Sequence, residues 1–575
     1  MTKYIFVAGG VISGVGKGVI TASLGKILKM HGYNTTLIKI DPYINYDAGT
    51  LRPTEHGEVW VTHDGGEMDQ DLGTYERFID TSLPKHNSIT TGQIYKSVID
   101  NERQGVYLGQ TVQFLPHIVD EVKQRMCAAS QGYDFAVIEL GGTVGDYENI
   151  PYLYAIKSLE RELGAQRVAY VLVTYLPIPG HLQEMKTKPT QQAIRLLGQE
   201  GIWPDFVICR GAQSLDSIRK KKIELCVNIP AERIISAPDL KTIYDMPLFL
   251  EHEGVGKKVL DHFGSASRTI PDWEPWKRLV NTIKEPKKSI SIAIVGKYLA
   301  TGDYHIVDSY VSVYHALVHA GAHAQIGVTI TWLDAQRFDD GVEVDMLEKF
   351  DGVIIPGGFG ATGIEGKIKV IEYVRMHNIP YLGICYGMQL AVIEYARSVV
   401  GLADAHTTEI DADTTCPIID VLPYQKKILQ EHQIGGTMRL GNFTALLNPK
   451  SRVAKLYSAA GVGGRPKEDS WAVSERHRHR YEVNPVYVKQ LEEKGLIFSG
   501  YHEREDGTRL MEFLELSNHP FFIATQAHPE FNSRLESASP LFYGFVQAAR
   551  DYAFMQTNAS IAISKSVSNQ IGYGI

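Results

Sequence analysis

The chain has 575 residues, 44% hydrophobic and 22% charged, a globular composition about three to four domain lengths long. A formal charge of −8 and a pI near 6.2 argue against nucleic-acid partners, which need a clustered basic surface. No apolar stretch approaches ~18 residues and the N-terminal apolar run ends after about six, so neither a membrane span nor a secretory signal is expected and the expected location is cytoplasmic; five widely spaced cysteines without a CxxC pair fit neither a disulfide framework nor a zinc site.

Taken in chain order, a strand at Tyr4 to Ala8 runs into a glycine-rich stretch and then a helical pattern carrying Val19, Leu24, Ile27 and Leu28. In such a strand–loop–helix, exposed N–H groups and the helix N-terminus cradle phosphate, and Lys17 would lie against the terminal phosphates. The spelling departs from the usual phosphate loop: five residues separate Gly10 from Gly16, and Gly18 stands where Ser or Thr follows the lysine. A glycine turn that merely packs a helix closely on a sheet is the alternative. The runs "TTLIKID", "YDFAVIEL", "RVAYVLVTY" and "PDFVICRG" lack polar alternation, so they read as strands buried on both faces of a parallel, helix-covered sheet. Pro, Ser and charge gather from Phe263 to Lys288 before a second α/β half opens with "SISIAIVGKY" and continues with "FDGVIIPGG" and "IPYLGICYG". The expected organisation is α/β, with domains at 1–265 and 289–555, a linker at 266–288 and an unordered tail at 556–575.

The second half carries the sharpest motif. In "YLGICYGMQ", Cys385 sits between Gly383 and Gly387, after an apolar strand and before a helical run, the spelling of a strand-to-helix elbow that presents a nucleophile. A helix N-terminus lowers a thiol's pKa. In "ATQAHPEF", His528 and Glu530 are two apart and face one way on an extended segment, so that Glu530 orients the imidazole that activates Cys385. Backbone N–H groups at Gly357 and Gly358 of "IIPGGFG", with that of Tyr386, would form an oxyanion hole. The three pieces supply separate roles of one acyl-transfer constellation.

The strings "PGGFG", "GICYGMQ" and "HPE" resemble the class I glutamine amidotransferase domain. With "GGVISGVGKG", "KIDPYIN", "HGEVWVTHDGGEMDQDLGTYERF", "IELGGTVGDYEN", "KTKPTQ" and "ERHRHRYEVN", the chain resembles the CTP synthase family from about Lys3 to Tyr552. The resemblance implies a phosphate-loop synthetase domain fused to the amidotransferase domain. It also implies amination of UTP to CTP with ATP, glutamine as nitrogen source, Mg2+, GTP as activator and CTP as inhibitor. It implies a homotetramer, with filaments in some members.

Residue by residue, the resemblance implies that Gly14, Val15, Gly16, Lys17, Gly18, Val19, Lys39 and Asp71 hold ATP, with Lys17 and Lys39 at the transferred phosphate. Asp71 and Glu139 match magnesium ligands. Independently of the family, Glu139 closes the buried-looking run "FAVIEL", where a carboxylate is costly without a cation partner. Ser13, Asp146, Tyr147, Glu148, Lys186, Thr187, Lys188, Pro189, Thr190, Gln191 and Lys222 match the UTP/CTP contacts. Gly358, Tyr386, Gly387, Met388, Gln389, Glu409 and Arg480 match the glutamine pocket, where a carboxylate and a guanidinium suit the α-amino and α-carboxylate groups. Pro53, His56 and Val59 match the lining and gate of an ammonia tunnel. Three places depart from the family's usual residues: Tyr386 after the nucleophile, "HTTEI" around Glu409, and Ala527 before His528. They surround the glutamine pocket, leaving the triad intact. Two rivals stand beside this reading. One is a related synthetase–amidotransferase fusion acting on a corrinoid acid, distinguished by whether UTP stimulates ATP hydrolysis. The other is a nucleotide-regulated assembly protein without catalysis, against which the Cys385, His528 and Glu530 set stands.

Overall fold

The buried runs of the first half become one all-parallel sheet. Its strands are β1 (Lys3–Gly9), β2 (Thr35–Asp41), β3 (Ser88–Thr90), β4 (Phe135–Leu140), β5 (Val168–Tyr175), β6 (Phe206–Gly211) and β7 (Ile234–Pro238), in the order β3-β2-β4-β1-β5-β6-β7. Every pairing is parallel. All six residues of β4 are buried, as expected of a strand covered by helices on both faces. The computed structural model describes residues 1–52, 56–181, 184–297, 300–301, 304–305, 307–340, 343–421, 438–467 and 469–571. None of the helices among them is long and apolar enough to cross a membrane.

Contacts divide the chain into two units: Met1–Thr50 with Gly66–Val280, and Leu51–Gly65 with Asn281–Ile575. The division falls inside the segment read from sequence as a linker. That segment also holds the helix Glu274–Lys284, which is mostly polar but buries Trp276 and Val280. Spaced i, i+4, these two form one apolar stripe, and the Trp276 indole N–H donates to Tyr244 O at 2.8 Å. The assignment of 51–65 to the second unit had no counterpart in the sequence pattern.

The second unit is built on a ten-stranded sheet. Its strands are β8 (Ser289–Gly296), β9 (Gly327–Asp334), β10 (Gly352–Ile355), β11 (Tyr381–Ile384), β12 (Arg439–Leu447), β13 (Gly464–Lys467), β14 (Ser470–His479), β15 (Ile497–Glu503), β16 (Arg509–Glu515) and β17 (Phe522–Thr525). The order is β9-β8-β10-β11-β17-β16-β15-β12-β14-β13. From β9 to β17 the pairing is parallel. From β17 outward it is antiparallel, so the α/β reading holds and the sheet is mixed. Alternation along a strand feeds two cores: Ala293 and Val295 enter one, while Ile290, Ile292 and Ile294 enter the other. The last helix spans Pro540–Ile571, past residue 556 where the sequence reading begins an unordered tail. Ala, Met and Gln in "AFMQTNASIA" are compatible with a helix that needs no apolar stripe to continue.

Candidate active site

In the first unit, the loop after β1 leads into α1 (Lys17–Met30), whose N-cap Gly16 has φ 92, a left-handed conformation that favours glycine. Gly18 is required for another reason: a Cβ there would lie 3.0 Å from Asp71 Oδ1 and 3.8 Å from Glu139 Oε2. Both carboxylates therefore converge on the start of α1. Lys17 Nζ donates to Gly142 O at 2.7 Å, and burial lowers its pKa against the opposing pull of Glu139.

Lys39 lies at the centre of the acidic group. Its Nζ donates to Asp71 and lies 3.3 Å from Asp41 Oδ1 and 3.7 Å from Glu139 Oε1. Burial pulls the ammonium down, but Asp41, Glu139 and Asp69 outweigh it and the net shift is upward. Asp41 is raised as well, to about 6, by desolvation, with Lys39 opposing. Glu139 is 2% exposed and accepts from Tyr75 OH; the cation partner that its burial demands is Lys39. Among the described residues no cluster of three or more His, Cys, Asp or Glu side chains could hold a metal by itself. Two converging carboxylates do fit Mg2+, which keeps several waters and takes one or two protein carboxylates together with substrate phosphates.

The other nucleotide candidates gather by topology. Ser13 to Val19 follow β1, Asp146 to Glu148 follow β4 and Lys186 to Gln191 follow β5, while Lys222 lies further along, inside the helix Ser217–Val227 that comes after β6. These four strands are neighbours in the sheet, so their C-terminal loops share one edge, where open α/β sheets bind ligands. Asp146 is tied into its own turn, accepting from Thr143 N at 2.6 Å and Thr143 OH at 2.9 Å. Tyr147 is 77% exposed. Lys186 donates to Glu184 at 2.6 Å. Thr187, Thr190 and Gln191 are buried and bonded internally, Thr190 to Thr174 at 3.0 Å and Gln191 to Thr187 at 3.2 Å. Lys188, Ser13 and Lys222 face solvent.

In the second unit, Cys385 joins β11 to α2 (Tyr386–Tyr395) with φ 50 and ψ −99. This is a strained backbone for a residue with a side chain. It is held by Cys385 N donating to Thr525 O at 2.7 Å and by close packing of its glycines. A Cβ on Gly387 would come within 2.2 Å of Ile355 O, and one on Gly383 within 2.6 Å of Tyr381 OH. His528 Nδ1–H donates to Glu530 Oε1 at 2.7 Å, and the imidazole lies beside Cys385, a Cβ on Gly357 reaching both residues. Burial disfavours the imidazolium, but Glu530 and Cys385 outweigh it and lift His528 to about 10. The site therefore favours an imidazolium, the partner a thiolate needs. The pairing of His528 with Glu530 follows the sequence reading, but through a different backbone: Pro529–Asn532 is a 3-10 turn rather than an extended segment. Gly357 presses on the same group, since a Cβ there would lie 2.8 Å from His528 Cε1 and 3.7 Å from Cys385 Cβ.

Around this group, Glu409 accepts from Gly360 N at 2.8 Å, and burial raises its pKa against Gly360, Lys297 and Arg480. Met388 is fully buried in the core. Gln389 is buried too and spends its amide on Tyr481 O at 2.9 Å and Gln526 Oε1 at 3.1 Å. Gln526 in turn lies 3.6 Å from the Cys385 sulfur. Gln526, Lys297 and Lys367 are site neighbours that sequence reasoning missed. Of the tunnel candidates, Pro53 lies outside the described residues, His56 is exposed and Val59 is buried.

A parallel sheet with a lysine-bearing glycine loop at the start of a helix, joined to a cysteine elbow backed by a His–Glu pair, defines a synthetase fused to a class I glutamine amidotransferase. The comparisons agree with this class. Residues 3–265 match the family profile described as CTP synthase N-terminus, and residues 305–548 match glutamine amidotransferase class-I. The CTP synthase of Pyrococcus abyssi is 48% identical over 552 residues, 96% of this chain and 98% of that protein. That of Methanopyrus kandleri is 46% identical over 95% of this chain and 99% of that protein. The solved Trypanosoma brucei CTPS glutaminase domain with bound acivicin is 33% identical, covering 46% of this chain and 94% of that chain at a TM-score of 0.40. The chain belongs to the CTP synthase family, the glutamine-hydrolysing synthetases that make CTP.

Proposed function

We propose that the chain runs this reaction as two half-reactions linked only by ammonia. In the second unit, the Cys385 thiolate attacks the carboxamide carbon of glutamine. Charge moves onto the carbonyl oxygen, stabilised by the N–H groups of Gly358 and Tyr386, and His528 hands a proton to the departing ammonia. Water then releases glutamate from the thioester. Glu409 takes the α-amino group of glutamine and Arg480 its α-carboxylate. In the first unit, uracil O4 is a poor leaving group, so the γ-phosphoryl of ATP is transferred to it. Ammonia displaces the resulting phosphate at C4, giving CTP, ADP and phosphate. Lys17 and Lys39 neutralise the transferred phosphoryl, and the Gly14–Val19 loop holds the ATP phosphates. Ser13, Asp146 to Glu148, Lys186 to Gln191 and Lys222 hold the pyrimidine nucleotide, substrate UTP or inhibitor CTP. Asp71 and Glu139 would hold Mg2+, which supplies charge neutralisation at the phosphates when bound. Pro53, His56 and Val59 line the ammonia path, and GTP activates the glutaminase half.

The observation that carries this reading is the Cys385 elbow: a strained cysteine at a helix start, beside a histidine whose Nδ1–H donates to Glu530 at 2.7 Å. The direct test is the absorbance rise as UTP becomes CTP, with ATP, magnesium and either glutamine or ammonium chloride. Conversion with both nitrogen sources is expected. If UTP fails to stimulate ATP hydrolysis with either source, the reading is overturned. The same proposal includes a homotetramer that tightens with UTP and ATP. Light scattering should show the mass rising when both nucleotides are added, and a monomer throughout would remove that part.

A further inference from the structure

Lys367 occupies an unfavourable place. It lies in the first turn of the helix Ile364–Met376, its N–H bonded to Gly363 O at 3.2 Å, where the helix dipole disfavours a cation. The side chain is fully buried, and its ammonium has no hydrogen-bond partner among the described residues, a costly arrangement for any charge. The packing forces this burial, because a Cβ on Gly366 would meet Ala335 O at 2.1 Å, so the helix start is pressed against residues 335–339. What the ammonium faces is the nucleophile's surroundings. It lies 5.7 Å from the ring centroid of Tyr386, the residue after Cys385, and 3.9 Å from where a Cβ of Gly358 would stand. Lys297 lies on the same side, 6.0 Å from that ring and donating to Gly360 O at 3.1 Å. Burial, reinforced by Lys297 and only partly offset by Asp334, lowers Lys367 to about 7. Hydrophobic packing alone would be served better by methionine, so a residue that costs stability here points to a functional demand.

We propose that Lys367 is a positioning residue of the glutaminase half-reaction: its buried ammonium sets the field and the placement of Gly358 and Tyr386, favouring negative charge on the carbonyl oxygen of glutamine without touching the substrate. This rests on the reading of Cys385 as nucleophile. The charge is preorganised in a dry environment, where it acts strongly and needs no solvent rearrangement as the oxyanion forms.

The test is Lys367→Met in the full-length protein, which keeps the length and removes the charge, assayed at about pH 6, below the value of about 7 above which the wild-type ammonium is lost. Four readouts are taken: glutamine-dependent kcat and KM, ammonium-dependent CTP formation, the melting temperature, and inhibition by glutamate γ-semialdehyde. The last adds the Cys385 thiolate to its carbonyl carbon, forming a C–S bond and a tetrahedral oxyanion that takes its proton from His528. The expected result is kcat on glutamine down about tenfold or more, KM within about twofold, aldehyde binding weakened in step with kcat, ammonium-dependent synthesis unchanged, and a melting temperature equal to or above that of the wild type. That combination is not produced by a structural role, because removing an unpaired buried charge stabilises while removing its field slows the chemistry. A kcat within twofold of wild type overturns the proposal. So does a lowered melting temperature with kcat, KM and aldehyde affinity all worsened together. Cys385→Ala in the same assay separates the two levels: if it still hydrolyses glutamine, the nucleophile assignment has failed; if it is inactive while Lys367→Met is normal, only the role of Lys367 has.

Discussion

Cys385→Ala is expected to abolish CTP formation from glutamine, by about 10⁴-fold or more, while CTP formation from ammonium chloride stays near the wild-type rate. The first half of this result follows from chemistry. Without the sulfur no thioester forms, and the amide nitrogen of glutamine is too poor a nucleophile to replace ammonia. His528 and Glu530 cannot substitute, since residues acting as a unit lose nearly everything when the nucleophile goes. The second half follows from the proposed division of labour, because Lys17, Lys39, Asp71 and Glu139, the residues proposed to phosphorylate UTP, all lie in the first unit. The substitution also relieves strain only in part: alanine still bears a Cβ at φ 50, so the elbow keeps its shape and no large change in stability is expected. The assay follows the absorbance change with each nitrogen source at mildly alkaline pH. Wild-type use of glutamine by the mutant would remove the triad, and loss of ammonium-dependent synthesis would show that the two halves are not separable in this way.

Much of this arrangement is legible in the sequence, for identifiable reasons. The strands of the first sheet announce themselves because helices cover both faces, so "YDFAVIEL" carries no polar alternation to confuse the period. The Cys385 elbow is readable because its demands are local: glycines at 383 and 387 are forced by atoms only 2.6 and 2.2 Å from their missing side chains, and such needs leave a fixed spelling. His528 and Glu530 are legible as a pair for the same reason, although their 3-10 backbone is not. What the sequence hides is built from distant pieces. Lys297 and Lys367 flank Tyr386, yet each is an isolated lysine in the chain, and surface solvation is the default reading of a lone lysine. Gln526 reaches Cys385 through a side-chain contact that no spacing encodes. The "KTKPTQ" run shows the opposite limit: its letters suggest a uniformly available basic loop, whereas Thr187, Thr190 and Gln191 turn inward and bond within the protein, leaving Lys186 and Lys188 as its outward-facing cations.

The complementary experiment breaks the first unit. Asp71→Asn and Glu139→Gln should each lower CTP synthesis by about 10²-fold or more from glutamine and from ammonium alike, because phosphoryl transfer depends on positioning and on neutralising charge. Basal glutamine hydrolysis should survive. The two substitutions perturb the resting protein differently. Glu139 is 2% exposed and accepts from Tyr75; an amide oxygen can keep that bond, but Lys39 loses one of the carboxylates that raise its pKa. Asp71 is the more open of the two and accepts directly from the Lys39 ammonium, so Asp71→Asn leaves that ammonium to Asp41 and Glu139. In both mutants Lys39 becomes easier to deprotonate, yet two carboxylates remain beside it and it should stay charged at neutral pH. The loss is therefore expected to come from the missing acidic ligand rather than from a neutral lysine. Raising magnesium should not restore the rate if the carboxylates orient the phosphates as well as the ion. Normal ammonium-dependent turnover in either mutant at saturating magnesium would remove that residue from the phosphorylating site. Loss of glutaminase activity along with synthesis would instead place Asp71 or Glu139 in a role shared by both half-reactions.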